Sequence, residues 1–137
     1  MNQKGQMKFK SKWWSVRLPE DWQAAEDENC VTFSRKNSTS ALQISAARKE
    51  AGSITDEELD DFATERLPVG TRPCRVNVGG LTGFYAERIE NGVFWREWWL
   101  RQGRLIVYAT YNVDENLKET ESTIAQNILE SLETIVH

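Results

Sequence analysis

The chain has 137 residues, which suits one domain and leaves no comfortable room for a second. Charged residues make up 28% of it and the net charge is −4, whereas general nucleic-acid binding favours a basic surface. Residues 1–12 lack the apolar centre of a signal peptide, and no run approaches the length of a membrane span. We therefore expect a cytoplasmic protein that binds neither nucleic acid nor membrane.

The first third of the chain contains strand-like runs separated by turn formers. Residues 1–12 are predicted to be a polar tail, and a single α+β domain covers residues 13–137. A first strand ends at Pro19, and Trp22 follows in a turn from which it folds back over an edge of the core. Residues 29–35 and 41–48 alternate apolar and polar side chains, which predicts two further strands.

The first helix has clear start and stop signals. The capping box begins at Thr55 and includes Glu58, and Ile54 with Leu59 has the spacing of a hydrophobic staple. The stripe predicted to face the core comprises Leu59, Phe62, Ala63 and Leu67. The acidic residues of this helix are interpreted as its solvent face, because their spacing matches no known cation-binding loop. Pro68 ends the helix, and an irregular connection with a short edge strand at residues 74–78 follows.

Residues 80–113 form a predicted three-stranded meander around which the chain is organised. Asn91-Gly92 suits a type I′ turn, which sets Phe84 opposite Trp99 and Arg88 opposite Trp95. Gln102-Gly103 is taken as the second two-residue turn, and it sets Trp99 opposite Ile106. Both faces of the resulting sheet are rich in apolar side chains, so both need a cover.

The two faces differ in character. The aliphatic face carries Tyr85, Ile89, Phe94, Trp98, Leu100, Leu105, Val107 and Tyr111, with the Glu87–Arg96 pair near its middle. The aromatic face carries Phe84, Trp95, Trp99, Ile106 and Tyr108, interrupted by Arg88, Glu97 and Arg104.

A closing amphipathic helix of about 18 residues is predicted to begin at Asp114 or Asn116 and to extend through Ile135. We expect this helix on the aliphatic face. The first helix, the Pro-rich connection and Trp22 would cover part of the aromatic face. The predicted fold class is therefore α+β, with a central antiparallel sheet of about six strands and helices on its faces.

Five features follow one another along the chain: Leu18-Pro19 with Trp22 close behind, the Leu42-Gln43-Ile44-Ser45 strand, the Thr55 capping box, the Trp98-Trp99-Leu100 hairpin and the closing helix around residues 128–132. In this order they resemble the Mog1/PsbP-like superfamily. The resemblance implies a central antiparallel sheet between helices. It also implies a binding role, since members of that superfamily share no reaction and none of their site residues can be matched here.

Motifs typical of enzymes are missing from the sequence. Residues 79–83 lack the spacing of a dinucleotide fingerprint, and no nucleophile elbow or zinc-type cluster occurs. Cys30 and Cys74 are interpreted as buried free thiols, and the single histidine is the last residue, His137. We expect no catalysis, no cofactor and no bound metal.

The predicted working surface is the aromatic strip of Trp95, Trp99 and Tyr108 with the adjoining Arg88 and Arg104. Trp, Tyr and Arg dominate binding energy in protein interfaces, so we expect an adaptor, chaperone or immunity-like inhibitor that binds another protein. Two alternatives remain open. Both tryptophans could be core, or a closed apolar cavity between the sheet and the first helix could hold a lipid or other small apolar molecule.

Overall fold

The protein folds into two β-sheets and two α-helices. A computed structural model describes residues 6–28 and 30–135 of the chain. The strands described are β1 (Gln6–Lys10), β2 (Trp14–Pro19), β3 (Trp22–Glu26), β4 (Val31–Arg35), β5 (Ala41–Arg48), β6 (Cys74–Val78), β7 (Leu81–Glu90), β8 (Val93–Gln102), β9 (Leu105–Asp114) and β10 (Glu133–Thr134). The α-helices are α1 (Asp56–Arg66) and α2 (Lys118–Glu130), and a 3-10 turn (Glu115–Leu117) leads into α2. Within these residues no helix is long and apolar enough to cross a membrane.

The larger sheet is antiparallel and has seven strands in the order β3-β4-β5-β9-β8-β7-β6. Its β7–β8 hairpin has the predicted register, because Asn91 and Gly92 both take the positive φ of a type I′ turn. The predicted register of the β8–β9 hairpin was wrong by two residues. Its turn is Gly103-Arg104, so Gln102 pairs with Leu105 and Trp99 pairs with Tyr108. An even shift leaves every side chain on its predicted face.

A second sheet, in the order β1-β2-β10, was not predicted. It enlarges the expected total of about six strands, and it uses segments that the sequence assigned elsewhere. Gln6–Lys10, placed in the polar tail, pairs with β2. The closing helix ends at Glu130 instead of continuing through Ile135, whose amide donates to the carbonyl of Trp13. Here pairing with β2 outweighs the helical periodicity of the sequence.

Two hydrophobic clusters lie on opposite faces of the larger sheet. The main cluster joins the aliphatic face, including Trp98, to α2 and to the smaller sheet, so this face has two covers where only α2 was expected. Trp22, expected over the aromatic face, is the first residue of β3 and belongs to this main cluster. The second cluster joins α1 to Trp99, Phe84 and Tyr108 on the aromatic face.

Helix α1 covers only part of that aromatic face. The predicted capping box is present, with Glu58 and Thr55 bonded reciprocally. Leu59, Ala63 and Leu67 are buried, but Phe62 is 50% exposed, which corrects its place in the core stripe. At 100° per residue around the helix axis, the three buried residues lie within an arc of about 80°. Phe62 lies about 60° outside that arc. Eleven residues span about 16 Å, whereas seven strands span about 29 Å, so much of the face lies beyond the helix.

Candidate functional site

An open pocket of about 470 Å³ lies on the aromatic face, where α1 ends. We call it the Trp95 pocket. Its floor comes from adjacent strands of the larger sheet, and one wall comes from the last turn of α1. The residues that define it here are Ser45, Arg66, Arg88, Trp95, Glu97 and Tyr108.

Glu97 is the electrostatic centre of the pocket. It is only 5% exposed, and both of its carboxylate oxygens accept short hydrogen bonds. Arg88 Nη1 donates to Oε1 at 2.5 Å, and the Tyr108 hydroxyl donates to Oε2 at 2.6 Å. Arg66 Nε in turn donates to the Tyr108 hydroxyl at 3.0 Å. A buried carboxylate is stable only when paired in this way, so the four side chains hold one another in place.

The register explains why these residues meet. Arg88 faces Trp95 directly across the hairpin, and Glu97 lies two residues further along β8 on the same face. The sequence placed Arg88 and Glu97 on the same face of the sheet, and the structure pairs them diagonally across the hairpin. On the opposite face, the predicted Glu87–Arg96 pair is also present but is longer, at 3.9 Å.

Trp95 supplies the apolar surface of the pocket. Its ring is partly buried, and the guanidinium carbon of Arg88 lies 5.3 Å from the ring centroid. Because Arg88 is also bonded to Glu97, its side chain is fixed above the indole. A partner that contacts Trp95 would therefore meet a surface that needs little ordering on binding.

Burial, together with the hydrogen bond that Tyr108 donates to Glu97, raises the pKa of Tyr108 to about 12, against the lowering effect of Arg66. Tyr108 is therefore a neutral donor at neutral pH. Cys30, at the far wall, is half-buried. Desolvation and the charge of Asp27 raise the pKa of its thiol, which disfavours the reactive thiolate. The expectation of two buried thiols was wrong for Cys74, which is exposed.

The structure brings together three of the five predicted site residues: Arg88, Trp95 and Tyr108. Trp99 is fully buried beneath α1, so the core alternative is the correct interpretation for that residue. Arg104 is exposed at the β8–β9 turn, where it donates to the carbonyl of Glu50 and does not line the pocket. Its position follows from the turn, which has Arg104 as its second residue.

Sequence reasoning missed Arg66, whose Cζ lies 4.7 Å from the centroid of the Tyr108 ring. The available signal was its place in the last turn of α1, directly before the Leu67-Pro68 stop that fixes where the helix ends. His137 lies outside the described residues. Within residues 6–28 and 30–135, no group of three His, Cys, Asp or Glu residues could hold a metal ion.

The pocket differs from the closed apolar cavity that a lipid ligand was expected to need. It opens to solvent, and charged or polar side chains such as Arg66, Glu97 and Ser45 form much of its lining. These features favour a ligand with polar groups.

The fold and the pocket together define an α+β protein with a partly uncovered sheet face. Among solved structures, this chain is similar to a protein from Bacteroides thetaiotaomicron VPI-5482, with a TM-score of 0.72 and 19% identity over 98% of this chain. The chain spans 50% of that protein's length. It is also similar to LpqN, involved in cell envelope biogenesis of Mycobacterium tuberculosis, with a TM-score of 0.59 and 14% identity over 90% of this chain and 83% of LpqN.

A third similar structure is PsbP (CyanoP) from Synechocystis sp. PCC 6803, with a TM-score of 0.52 and 10% identity over 98% of this chain and 95% of that one. Comparisons with protein-family models and with curated proteins gave no match. The chain therefore has the Mog1/PsbP-like fold that its sequence predicted, and the likeness concerns the fold alone.

Proposed function

We propose that this chain is a non-enzymatic protein-binding module, an adaptor, chaperone or inhibitor, that contacts its partner through the Trp95 pocket. The observation that carries the proposal is the buried Glu97, which fixes Arg88 over the partly exposed Trp95 ring. Trp and Arg in a pre-ordered, partly desolvated setting are the residues that contribute most to binding energy in protein interfaces.

The same network supports binding over catalysis. Both Glu97 oxygens are occupied by donors within the protein, whereas a general base needs an oxygen that can reach a substrate proton. The raised pKa of Tyr108 likewise makes it a poor nucleophile or base at neutral pH. These residues can present donors and an aromatic surface to a partner without chemical change.

Site-specific photo-crosslinking in the native cell tests the proposal. A crosslinking residue replaces Thr110, which lines the pocket, and in a control chain it replaces Ile89. Ile89 is 47% exposed and follows Arg88 on β7, so its side chain points to the opposite face of the sheet. We expect one defined protein to be crosslinked from position 110 and not from position 89.

The captured protein is then purified and its affinity measured. Trp95→Ala should weaken binding about 30-fold or more, as expected for a residue worth about 2 kcal/mol. Ile89→Ala is the matched control and should leave the affinity unchanged. Equal affinities for wild type and Trp95→Ala, with both proteins folded, would refute the proposed surface.

A further inference from the structure

Two pockets lie on opposite faces of one edge of strand β5. The Trp95 pocket is on the aromatic face, and a second pocket of about 390 Å³ lies between the β1–β2 turn and the β3–β4 turn. We call it the Trp13 pocket, after the partly buried indole in its wall. Its lining includes Ile44 of the main cluster, which places it on the other face of the larger sheet. Cys30 and Ser45 line both pockets, so the two meet at this edge.

Strand β5 has an open edge at this point. Strand β4 pairs with β5 only as far as the Val31–Ile44 pair, whereas β5 continues to pair with β9 through Arg48 in unbroken register. No described strand lies beside the remaining stretch, Ser45–Arg48, on the side that faces away from β9. The stretch contains neither a proline nor a bulge, two of the devices by which proteins block exposed edges.

The backbone groups that face the open edge belong to Ala46 and Arg48. The amide of Lys49 donates to the carbonyl of Arg104 at 2.8 Å, so Lys49 bonds toward β9. In an antiparallel ladder every second residue bonds to the same neighbouring strand, which assigns Ala47 to β9 as well. The N–H and C=O groups of Ala46 and Arg48 therefore point away from β9. They are placed to bond to the main chain of another extended segment.

The Trp13 pocket favours a basic side chain. Three carboxylates line it, against the single ammonium of Lys12, and they belong to Glu26, Asp27 and Glu28. The indole of Trp13 offers an apolar surface along which the stem of a lysine or arginine can lie. A partner side chain that enters this pocket is therefore expected to be positively charged.

The Trp95 pocket selects no charge. Its lining has the carboxylates of Glu65 and Glu97 and the guanidinium groups of Arg66 and Arg88. The two signs balance, and Arg88 is already bonded to Glu97. An uncharged side chain therefore suits this pocket.

We propose that an extended segment of the partner protein adds to β5 as an edge strand beside Ser45–Arg48. This stretch is about 13 Å long, so a segment of about five residues covers it. Residues paired across two strands point to the same face. The partner residue opposite Ala46 is thus directed to the Trp13 pocket and is basic, and its neighbour opposite Ala47 is directed to the face of the Trp95 pocket and is uncharged. Two positions from the basic residue the partner meets Arg48, where a second basic residue is disfavoured. This proposal rests on the proposed function and adds the form and charge pattern of the partner.

Peptide selection followed by amide hydrogen exchange tests the proposal without knowledge of the partner. Random 12-residue peptides displayed on phage are selected on the immobilised full chain, and the tightest peptide is added to the isotope-labelled chain. We expect the amides of Ala46 and Arg48 to exchange at least about tenfold more slowly with the peptide bound. Amides on the outer edge of β6, another open edge, should keep their rates. Failure to enrich any peptide, or a bound peptide that leaves Ala46 and Arg48 unprotected, would overturn the proposal.

Ala46→Pro blocks the open edge without removing a bond between β5 and β9. Proline lacks the N–H that Ala46 directs outward, and its ring is tolerated where that side of a strand is open. The variant should melt close to wild type but bind the selected peptide about tenfold more weakly in fluorescence anisotropy. Equal affinities for two folded proteins would contradict the added strand. If the variant does not fold, the exchange rates of the wild-type chain decide the question.

Charge reversal tests the basic position of the peptide. Glu26→Lys combined with Glu28→Lys should weaken binding at least about tenfold, and a peptide with its basic residue changed to Glu should bind this variant better than wild type. The matched control, Glu57→Lys combined with Glu119→Lys, makes the same change in net charge at exposed residues outside both pockets and should have no effect. Enriched peptides without a shared basic residue, or equal weakening by the two double variants, would refute the charge pattern.

Two outcomes separate this inference from the proposed function. If a protein crosslinked at position 110 binds in a Trp95-dependent manner and a folded Ala46→Pro variant binds it equally well, the binding module stands and the added strand is wrong. If wild type forms a dimer in sedimentation that Ala46→Pro dissociates, the open edge belongs to a second copy of the chain, which also overturns the proposal.

Discussion

Trp95 and Trp99 lie four residues apart on the same face of β8, yet the structure predicts different consequences for their removal. Trp99 is fully buried between the sheet and α1. A buried tryptophan removes about 200 Å² from water, worth about 5 kcal/mol, and large-to-small core changes cost about 3–5 kcal/mol. We therefore expect Trp99→Ala to lower the free energy of unfolding by about 3–5 kcal/mol.

Trp95 is only partly buried, so roughly half of the 200 Å² of a tryptophan side chain is removed from water. Trp95→Ala should therefore lower the free energy of unfolding by about 2 kcal/mol. The assay is thermal unfolding followed by circular dichroism, together with urea titration to obtain the free energy of unfolding. At about 3 °C per kcal/mol, we expect the midpoint to fall by about 10–15 °C for Trp99→Ala and by about 6 °C for Trp95→Ala.

A third variant, Trp99→Phe, tests whether the unpaired indole N–H of Trp99 is costly in the core. The buried indole nitrogen of Trp99 has no hydrogen-bond partner among the described residues. Trp99→Phe keeps most of the apolar volume and removes this unpaired N–H, so it should cost about 1 kcal/mol, far less than Trp99→Ala. Equal losses for Trp95→Ala and Trp99→Ala would contradict the burial difference, and a Trp99→Phe as damaging as Trp99→Ala would contradict the account of the N–H.

Three further predictions concern the scaffold. Gly83→Ala should lower the unfolding midpoint more than Gly52→Ala does. A Cβ at Gly83 would lie 1.9 Å from the carbonyl oxygen of Trp99, whereas a Cβ at Gly52 meets no atom within 4 Å and costs only the strain of an alanine at a φ of +79°. Equal midpoints would contradict this. Hydrogen bonds from Arg101 and Arg75 lower the pKa of Asp56 to about 2. The contribution of Asp56 to stability is therefore complete above pH 4 and is lost as the pH falls toward 2. Asp56→Asn should therefore flatten the acid limb of a stability-against-pH curve, and an unchanged slope would refute the pairing. The pKa of Tyr108 is raised, so its contribution is complete below pH 10 and lost as the pH rises toward 12; Tyr108→Phe should remove one late step from the ultraviolet titration of tyrosine.

The larger sheet could be predicted from sequence where short-range chemistry fixed it. Asn91-Gly92 set the complete β7–β8 register, because few other dipeptides accept positive φ at both turn positions. Gln102-Gly103 carried less information, since a single glycine fits either central position of a two-residue turn. The error changed the pairing by an even number of residues, so the prediction of the two faces was unaffected.

The smaller sheet could not be predicted in the same way. β1 (Gln6–Lys10) has mostly exposed side chains, and β10 (Glu133–Thr134) has only two residues. β1 does alternate, with Met7 and Phe9 between polar residues, but its five residues include two lysines, which indicates a polar tail, while β10 is too short to show any pattern. Strand β2 supplies most of the buried surface of this sheet. Strands that form by pairing with a buried neighbour leave a weak signal in their own sequence.

The open part of the aromatic face follows from signals at the two ends of α1. The Thr55 capping box fixes its first turn, and the Leu67-Pro68 step prevents its continuation. Those boundaries place Leu59 and Ala63 over Trp99, and they leave Trp95 beyond the last turn, where Arg66 reaches Tyr108. A helix two turns longer could cover the indole of Trp95 as well. The pocket is thus a consequence of helix length, and the polar network around Glu97 is what allows the uncovered strands to remain partly exposed to water.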